Sequence, residues 1–304
     1  MNFRARKAFA ATFAYLSQHW LALLKAMWLP ALFVAGLQLY AAPAFFTAFA
    51  ELALLGPNPE PEKAAAAMSG LGGSIIWFIV AGFIFFPMLT VASLKHIMRG
   101  EEQRLPFYVA YGADETRVMA ANFLFNLMIV VIALIGEIVV GVFVAITSLL
   151  GPAAGAAVKS IASLALNLVT AWFQARLSPL FPAVMATKTL GFGEVWNATR
   201  RDWLSVIVFW ILIGLIIVPA AVILTAPATL SAGVDFSAIQ SDDAAAAAML
   251  RKYAAALSPS APQFWVSAAG FYLMTMIVTA VVNTASAVVW RYLGTDRDQD
   301  GAAF

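Results

Sequence analysis

Long apolar runs free of charge set the pattern of this chain. From Ile75 to Ser93, and again from Trp203 to Val234, no Asp, Glu, Lys or Arg occurs. A helix needs about 20 such residues to cross a hydrocarbon layer about 30 Å thick. Outside a closed barrel, a helix is also the only way to pair every backbone N–H and C=O in lipid. The pattern predicts six spans, at about 20–49, 73–97, 118–149, 154–188, 203–226 and 264–292. The expected fold is therefore all-α: a polytopic membrane protein with six transmembrane helices in a single domain covering 1–304.

Composition agrees with this and charge adds direction. Of 304 residues, 62% are hydrophobic and 11% charged, against about 25% charged in an ordinary soluble domain. Basic residues gather at one set of span ends. Arg4, Arg6, Lys7 and Lys25 open the chain; Lys95, Arg99, Arg104 and Arg117 flank the second connection; Arg176, Lys188, Arg200 and Arg201 flank the fourth; Arg291 and Arg297 close it. Lys63, Lys159, Arg251 and Lys252 fall on the other side. With an even number of spans, both termini are expected in the cytoplasm, their basic residues facing anionic headgroups. The N-terminal stretch, broken at Ser17-Gln18-His19, does not read as a cleavable signal peptide.

The polar segments suggest three units, each a short interfacial helix followed by a transmembrane hairpin. Phe13 to Trp20 and Trp196 to Trp203 carry aromatics at the same interval before the first and fifth spans. Phe107-Tyr108 and Tyr111 stand before the third. Gly100, Gly191 and Gly294 follow the even-numbered spans, where helix C-caps are expected. Outside, Pro57 to Glu62 reads as a stiff acidic connection. Between Pro227 and Gln263, Ser237 to Gln240 fits a capping box. It opens an amphipathic helix with Ile239, Leu250, Tyr253 and Leu257 on one face.

Polar residues within the spans are the candidate chemistry. Glu137 is the acidic residue well inside a span, where a carboxylate is costly. At about 100° per residue, an interval of eleven returns to nearly the same face, aligning Asn126, Glu137 and Ser148. The fourth span carries Ser160, Ser163, Asn167, Thr170 and Gln174; the sixth carries Thr275, Thr279, Asn283 and Ser286. These stripes are expected to face inward, with Glu137 near the depth of Ser163 and Asn167. Two readings stay open. The stripes join helices through hydrogen bonds worth about 0.6–2 kcal/mol each, or Glu137, Asn126, Ser163, Asn167, Thr279 and Asn283 line a polar path. Arg176 is expected to snorkel to the interface or to tie down the second cytoplasmic connection through Glu101 or Glu102. Pro30, Pro87, Pro179 and Pro182 are expected to kink their spans.

Much chemistry is excluded. There is no cysteine, hence no disulfide, thiolate site or cysteine nucleophile. His19 and His96 are too few and too scattered in sequence to suggest a metal centre. No phosphate loop, nucleophile elbow, zinc-protease motif or dinucleotide fingerprint occurs. No cofactor is expected and nucleic-acid recognition has no support. Glu101, Glu102, Arg104, Asp114, Glu115 and Arg117 read as a solvated charged loop rather than a lipid-modifying cluster.

Several motifs together carry a resemblance. They are Leu29-Pro30 in the first span, Lys95 to Gly100 after the second, Arg176 to Pro182, and Glu194 to Trp203. In this organisation the chain resembles the six-helix membrane domain attached to some bacterial glycerophosphodiester phosphodiesterases, and its stand-alone relatives of unknown function. The catalytic barrel of those fusions has no counterpart in these residues. The resemblance implies a bacterial inner-membrane protein and no hydrolase activity. The expected role is non-enzymatic: structural, accessory or envelope-related. The alternative is a small transporter or channel with its path around Glu137.

Overall fold

The computed structural model describes residues 3–55, 60–101, 108, 110–149, 151–233 and 243–294. Among the described residues there is helix and no strand: α1 (Ala5–Ala53), α2 (Pro61–Val80), a π-helical turn (Ala81–Phe85), α3 (Phe86–Arg99), α4 (Ala113–Ser148), α5 (Pro152–Leu177), α6 (Leu180–Thr187), α7 (Phe192–Thr199), α8 (Trp203–Ser231), α9 (Asp243–Ala256) and α10 (Phe264–Gly294). Six segments are long and apolar enough to cross a membrane: Ala5–Ala53, Pro61–Arg99, Ala113–Ser148, Ala153–Thr187, Trp203–Ser231 and Phe264–Leu293. Each matches one predicted span.

Local chemistry accounts for the interruptions. Pro87 has no N–H for the carbonyl four residues earlier, and the preceding turn widens so that Phe86 N–H donates to the Ala81 carbonyl. The fourth span breaks at Ser178-Pro179 between α5 and α6. Pro30 and Pro43 lie within α1, which continues through both.

The interfacial segments differ from one another. Phe13 to Trp20 is not a separate helix; it is continuous with the span in the 49 residues of α1. No Gly or Pro stands between Ala5 and Trp28 to stop it. Trp196 lies in α7, a separate short helix, and Trp203 begins α8 after a turn. Phe107 lies outside the described residues, as do Pro57 to Pro59 and Ser237 to Gln240. The expected glycine caps hold at one position. Gly100 is left-handed (φ 64°) at the end of α3. After α6 the left-handed residue is Lys188 (φ 58°), and Gly191 instead begins α7. Gly294 is the last helical residue of α10.

The chain forms two compact units, through both of which α1, α8 and α10 run. The first comprises Met1–Ser17, Gly112–Ile213 and Thr284–Phe304. Here α4 packs on α5 and α6, and α7 on α5 and α6. The chain ends meet in it: Phe3 N–H donates to Asp202 (3.1 Å), and the Phe3 ring meets Phe209 and Tyr292 edge-on at 5.8 and 6.2 Å.

The second unit comprises Gln18–Tyr111 and Gly214–Asn283. Leu39, Ala42, Ala228 and Leu257 form a buried cluster with Phe46, Tyr253, Ala268 and Phe271 around it. The amphipathic helix expected after the fifth span is α9, and its Tyr253 packs edge-on to Phe46 of α1 at 5.1 Å. Within this unit α8 and α10 approach so closely that a Cβ at Gly270 would overlap the Leu224 carbonyl oxygen.

Gly270→Ala must push these backbones apart and should cost about 1–3 kcal/mol. Gly214→Ala, with nothing within 4 Å of the added carbon, should be neutral or stabilise by up to about 1 kcal/mol. Thermal unfolding of the two variants in one detergent checks the difference.

Candidate functional site

The six polar positions singled out in the spans fall into two environments. Asn126, Glu137, Ser163 and Asn167 belong to the first unit, Thr279 and Asn283 to the second. On α10 the stripe faces inward as expected. Asn283 is buried and its amide donates to Ser93 Oγ of α3 at 2.6 Å, while Thr279 and Ser286 are also buried. That contact is an interhelical hydrogen bond of the joining kind.

The stripes of α4 and α5 behave otherwise. The two helices meet along small residues, where a Cβ at Gly136 would overlap Leu166 and one at Gly155 would overlap Ser148. This antiparallel register puts Ser163 and Asn167 within about 4 Å of Glu137 in depth. Glu137 follows the contact residue Gly136, and Asn167 follows its partner Leu166. On antiparallel helices, a step of about 100° beyond the contact turns both side chains to the same face of the hairpin. Asn126 and Ser163 share that face by their spacing. The four are thus brought together on one surface, but that surface is open. Asn126, Glu137 and Asn167 are exposed and Ser163 half-buried. In the most apolar stretch of α5 no residue is buried, and in that of α4 6% are, against 39% in α1. The inward orientation expected for these two stripes is therefore not what the structure shows. The face that α4 and α5 turn to each other is taken by Gly136, Gly155 and Leu166, with Ser148 of the stripe against Gly155, and Asn126, Glu137, Ser163 and Asn167 lie beside it.

Some of these groups are satisfied within their own helix. Asn126 donates to the Asn122 carbonyl (2.8 Å) and side chain (2.9 Å), and Thr170 to the Leu166 carbonyl (2.9 Å). Among the described residues, Glu137 and Asn167 have no hydrogen-bond or ion-pair partner.

Arg176 is 5% exposed and does not snorkel outward. Its guanidinium lies 3.6 Å from the centre of the Trp196 ring and 5.3 Å from that of Trp172. It donates to the Trp196 carbonyl at 2.5 Å and to Thr199 Oγ1 at 3.4 Å. Glu101, in the second unit, faces Arg99 at 3.5 Å. Glu102 lies outside the described residues. Arg176 thus satisfies the open C-terminal end of α7, a cation at the negative end of a helix dipole. Glu115 also departs from the solvated loop expected around it. It is 1% exposed and accepts the Gly112 N–H at 2.8 Å, capping α4. His19 and His96, remote in sequence, lie edge-on with ring centres 5.4 Å apart. Among the described residues, no three His, Cys, Asp or Glu gather in a way that would hold a metal.

Sequence reading did not anticipate a cavity of about 760 Å³ within the second unit. Its walls are α1 from Leu32 to Ala44, α2 from Ser69 to Trp77, and α10 from Phe264 to Tyr272, with Pro259. Glycines make the room: a Cβ at Gly36 or Gly73 would meet nothing within 4 Å. Two polar side chains of the lining are engaged within the protein. Ser74 Oγ donates to the Gly70 and Leu71 carbonyls, and the Tyr272 hydroxyl to the Trp28 carbonyl at 3.1 Å. Tyr40 and Trp265 are well exposed, at 70% and 78%, and Tyr40 meets Trp77 edge-on at 5.6 Å.

Arg176→Lys keeps the charge and loses both the planar stacking and the fork of donors. It should destabilise the protein by about 1–2 kcal/mol, read as an earlier unfolding midpoint, and should loosen the Trp172–Trp196 pair, read by tryptophan fluorescence. Comparison of the chain with protein-family models, with curated proteins and with solved structures returned no match.

Proposed function

We propose that this chain is a non-catalytic protein of a bacterial inner membrane, with an accessory role in the envelope. Both termini lie in the cytoplasm, and the cavity of the second unit holds the apolar chain of a lipid. The cavity carries the reading. Along α1 its lining runs for about 18 Å, close to the roughly 15 Å hydrocarbon depth of one leaflet. Its lining is mostly apolar, and the Ser74 and Tyr272 hydroxyls are already hydrogen-bonded within the protein, so it offers a polar solute few groups to bind. A mostly apolar cleft of this size instead suits a hydrocarbon chain. Its walls come from the halves of α1, α2 and α10 remote from the basic ends, which in the proposed orientation is the outer leaflet. Tyr40 and Trp265 stand where interfacial aromatics meet headgroups.

The orientation draws on the basic residues of the even-numbered connections and on the meeting of Phe3, Asp202 and Tyr292, which sets both ends and the α7–α8 turn together. The resemblance to a membrane domain that accompanies lipid-related hydrolases suits an accessory role beside lipid. The transporter alternative, with a path along Glu137, Asn167 and Asn283, gains no support from the partner Asn283 has, which is Ser93.

Protein reconstituted with a phospholipid bearing a photoreactive acyl chain tests the reading. Labelling should concentrate on the cavity lining of α1, α2 and α10. Gly73→Leu, which fills the space without a clash, should remove most of it while leaving the unfolding temperature unchanged or higher. Even labelling of all lipid-facing helices, indifferent to Gly73→Leu, would rule the pocket out as a lipid site.

A further inference from the structure

The open polar face of the α4–α5 hairpin, in the first unit and independent of the cavity, calls for an occupant. Its depth is fixed by charged neighbours. In the hairpin register Arg176 stands opposite about residue 127 and Lys159 opposite about residue 144. Glu137 lies between them, roughly 15 Å from the depth of Arg176 and 10 Å from that of Lys159. This is the middle of the hydrocarbon, where neither water nor headgroups supply a hydrogen bond. Glu137 and Asn167 nevertheless share one exposed face and have no partner among the described residues. Acyl chains cannot satisfy them. Whatever covers this face must present both a donor and an acceptor at the same depth.

We propose that the occupant is a second copy of this chain, joined through the α4–α5 faces about a two-fold axis along the membrane normal. The complementarity is built into the hairpin. A rotation about that axis preserves depth and sets α4 of one copy against α5 of the other, so Glu137 of each meets Asn167 of its partner. The Asn167 carboxamide donates to the Glu137 carboxyl, and two such pairs form per dimer. Gly141, one turn beyond Glu137 on the same face, has nothing within 4 Å of an added Cβ, which allows the two helices to approach closely.

The chain has no cysteine, so one introduced thiol reports alone. In native membranes under mild oxidation, Gly141→Cys should give a cross-linked species of twice the chain mass. Leu215→Cys, 67% exposed on α8, should not. Adding Glu137→Leu and Asn167→Leu, substitutions an exposed lipid-facing surface tolerates without loss of fold, should cut the Gly141 product about tenfold. Glu137→Gln, which keeps an acceptor for the Asn167 amide, should retain it. Absence of the doubled species, equal yield at Leu215, indifference to the leucine pair, or a product of any other mass would each overturn the two-fold dimer. The last result would assign the face to a different membrane protein.

Discussion

Every peptide group that enters hydrocarbon must bring its own hydrogen-bond partner, because an unpaired N–H or C=O there costs several kcal/mol. That requirement makes the spans helical and governs each departure from regularity. At Pro87 the missing N–H is absorbed by a π turn rather than left as an open carbonyl. At Ser178-Pro179 the helix breaks only where Arg176, Trp196 and Thr199 form a polar seam, and Ser178 itself accepts the Trp210 indole N–H at 2.7 Å. Some small side chains within the spans obey the same rule, while the buried hydroxyls of Thr90, Ser267 and Thr284 have no hydrogen-bond partner among the described residues. Ser74, Thr170, Thr225 and Thr275 each donate to a carbonyl three or four residues back in their own helix.

Under that constraint the polar residues sort by whether the fold satisfies them. Asn283 and Ser93 satisfy each other in a buried contact between α10 and α3, and joining helices accounts for both. Glu137 and Asn167 have no hydrogen-bond partner among the described residues, and the proposed dimer supplies one to each. The cavity is the complementary case: a mostly apolar space lined by glycines and aromatics, suited to a ligand that needs no hydrogen bonds.

The six spans were legible because the apolar runs and the lysine and arginine positions are properties of the sequence alone. The inward stripe of α10 was legible from its spacing. Spacing could not tell which way the stripes of α4 and α5 face, because a polar stripe has the same period whether it is covered or open. That orientation depends on Gly136 and Gly155, the points of closest approach. The unbroken α1 was within reach, since no Gly or Pro interrupts Ala5 to Trp28. Other features depend on residues distant in sequence. His19 meets His96, Arg176 reaches Trp196, and the cavity needs α1, α2 and α10 together; no local pattern signals any of them. Gly191 misled because a glycine after a helix resembles a C-cap, whereas Lys188 takes that conformation and Gly191 starts the next helix.

The central claim is that a bilayer is the solvent of these helices and that the chain crosses it six times. Single cysteines at Lys63, Arg251, Arg6 and Arg201, probed with a membrane-impermeant maleimide on intact spheroplasts, test it most directly. The account predicts labelling at residues 63 and 251 in intact cells, and at 6 and 201 only after the membrane is opened. Equal labelling of all four before lysis, or residues 63 and 251 protected together with 6 and 201, would contradict it.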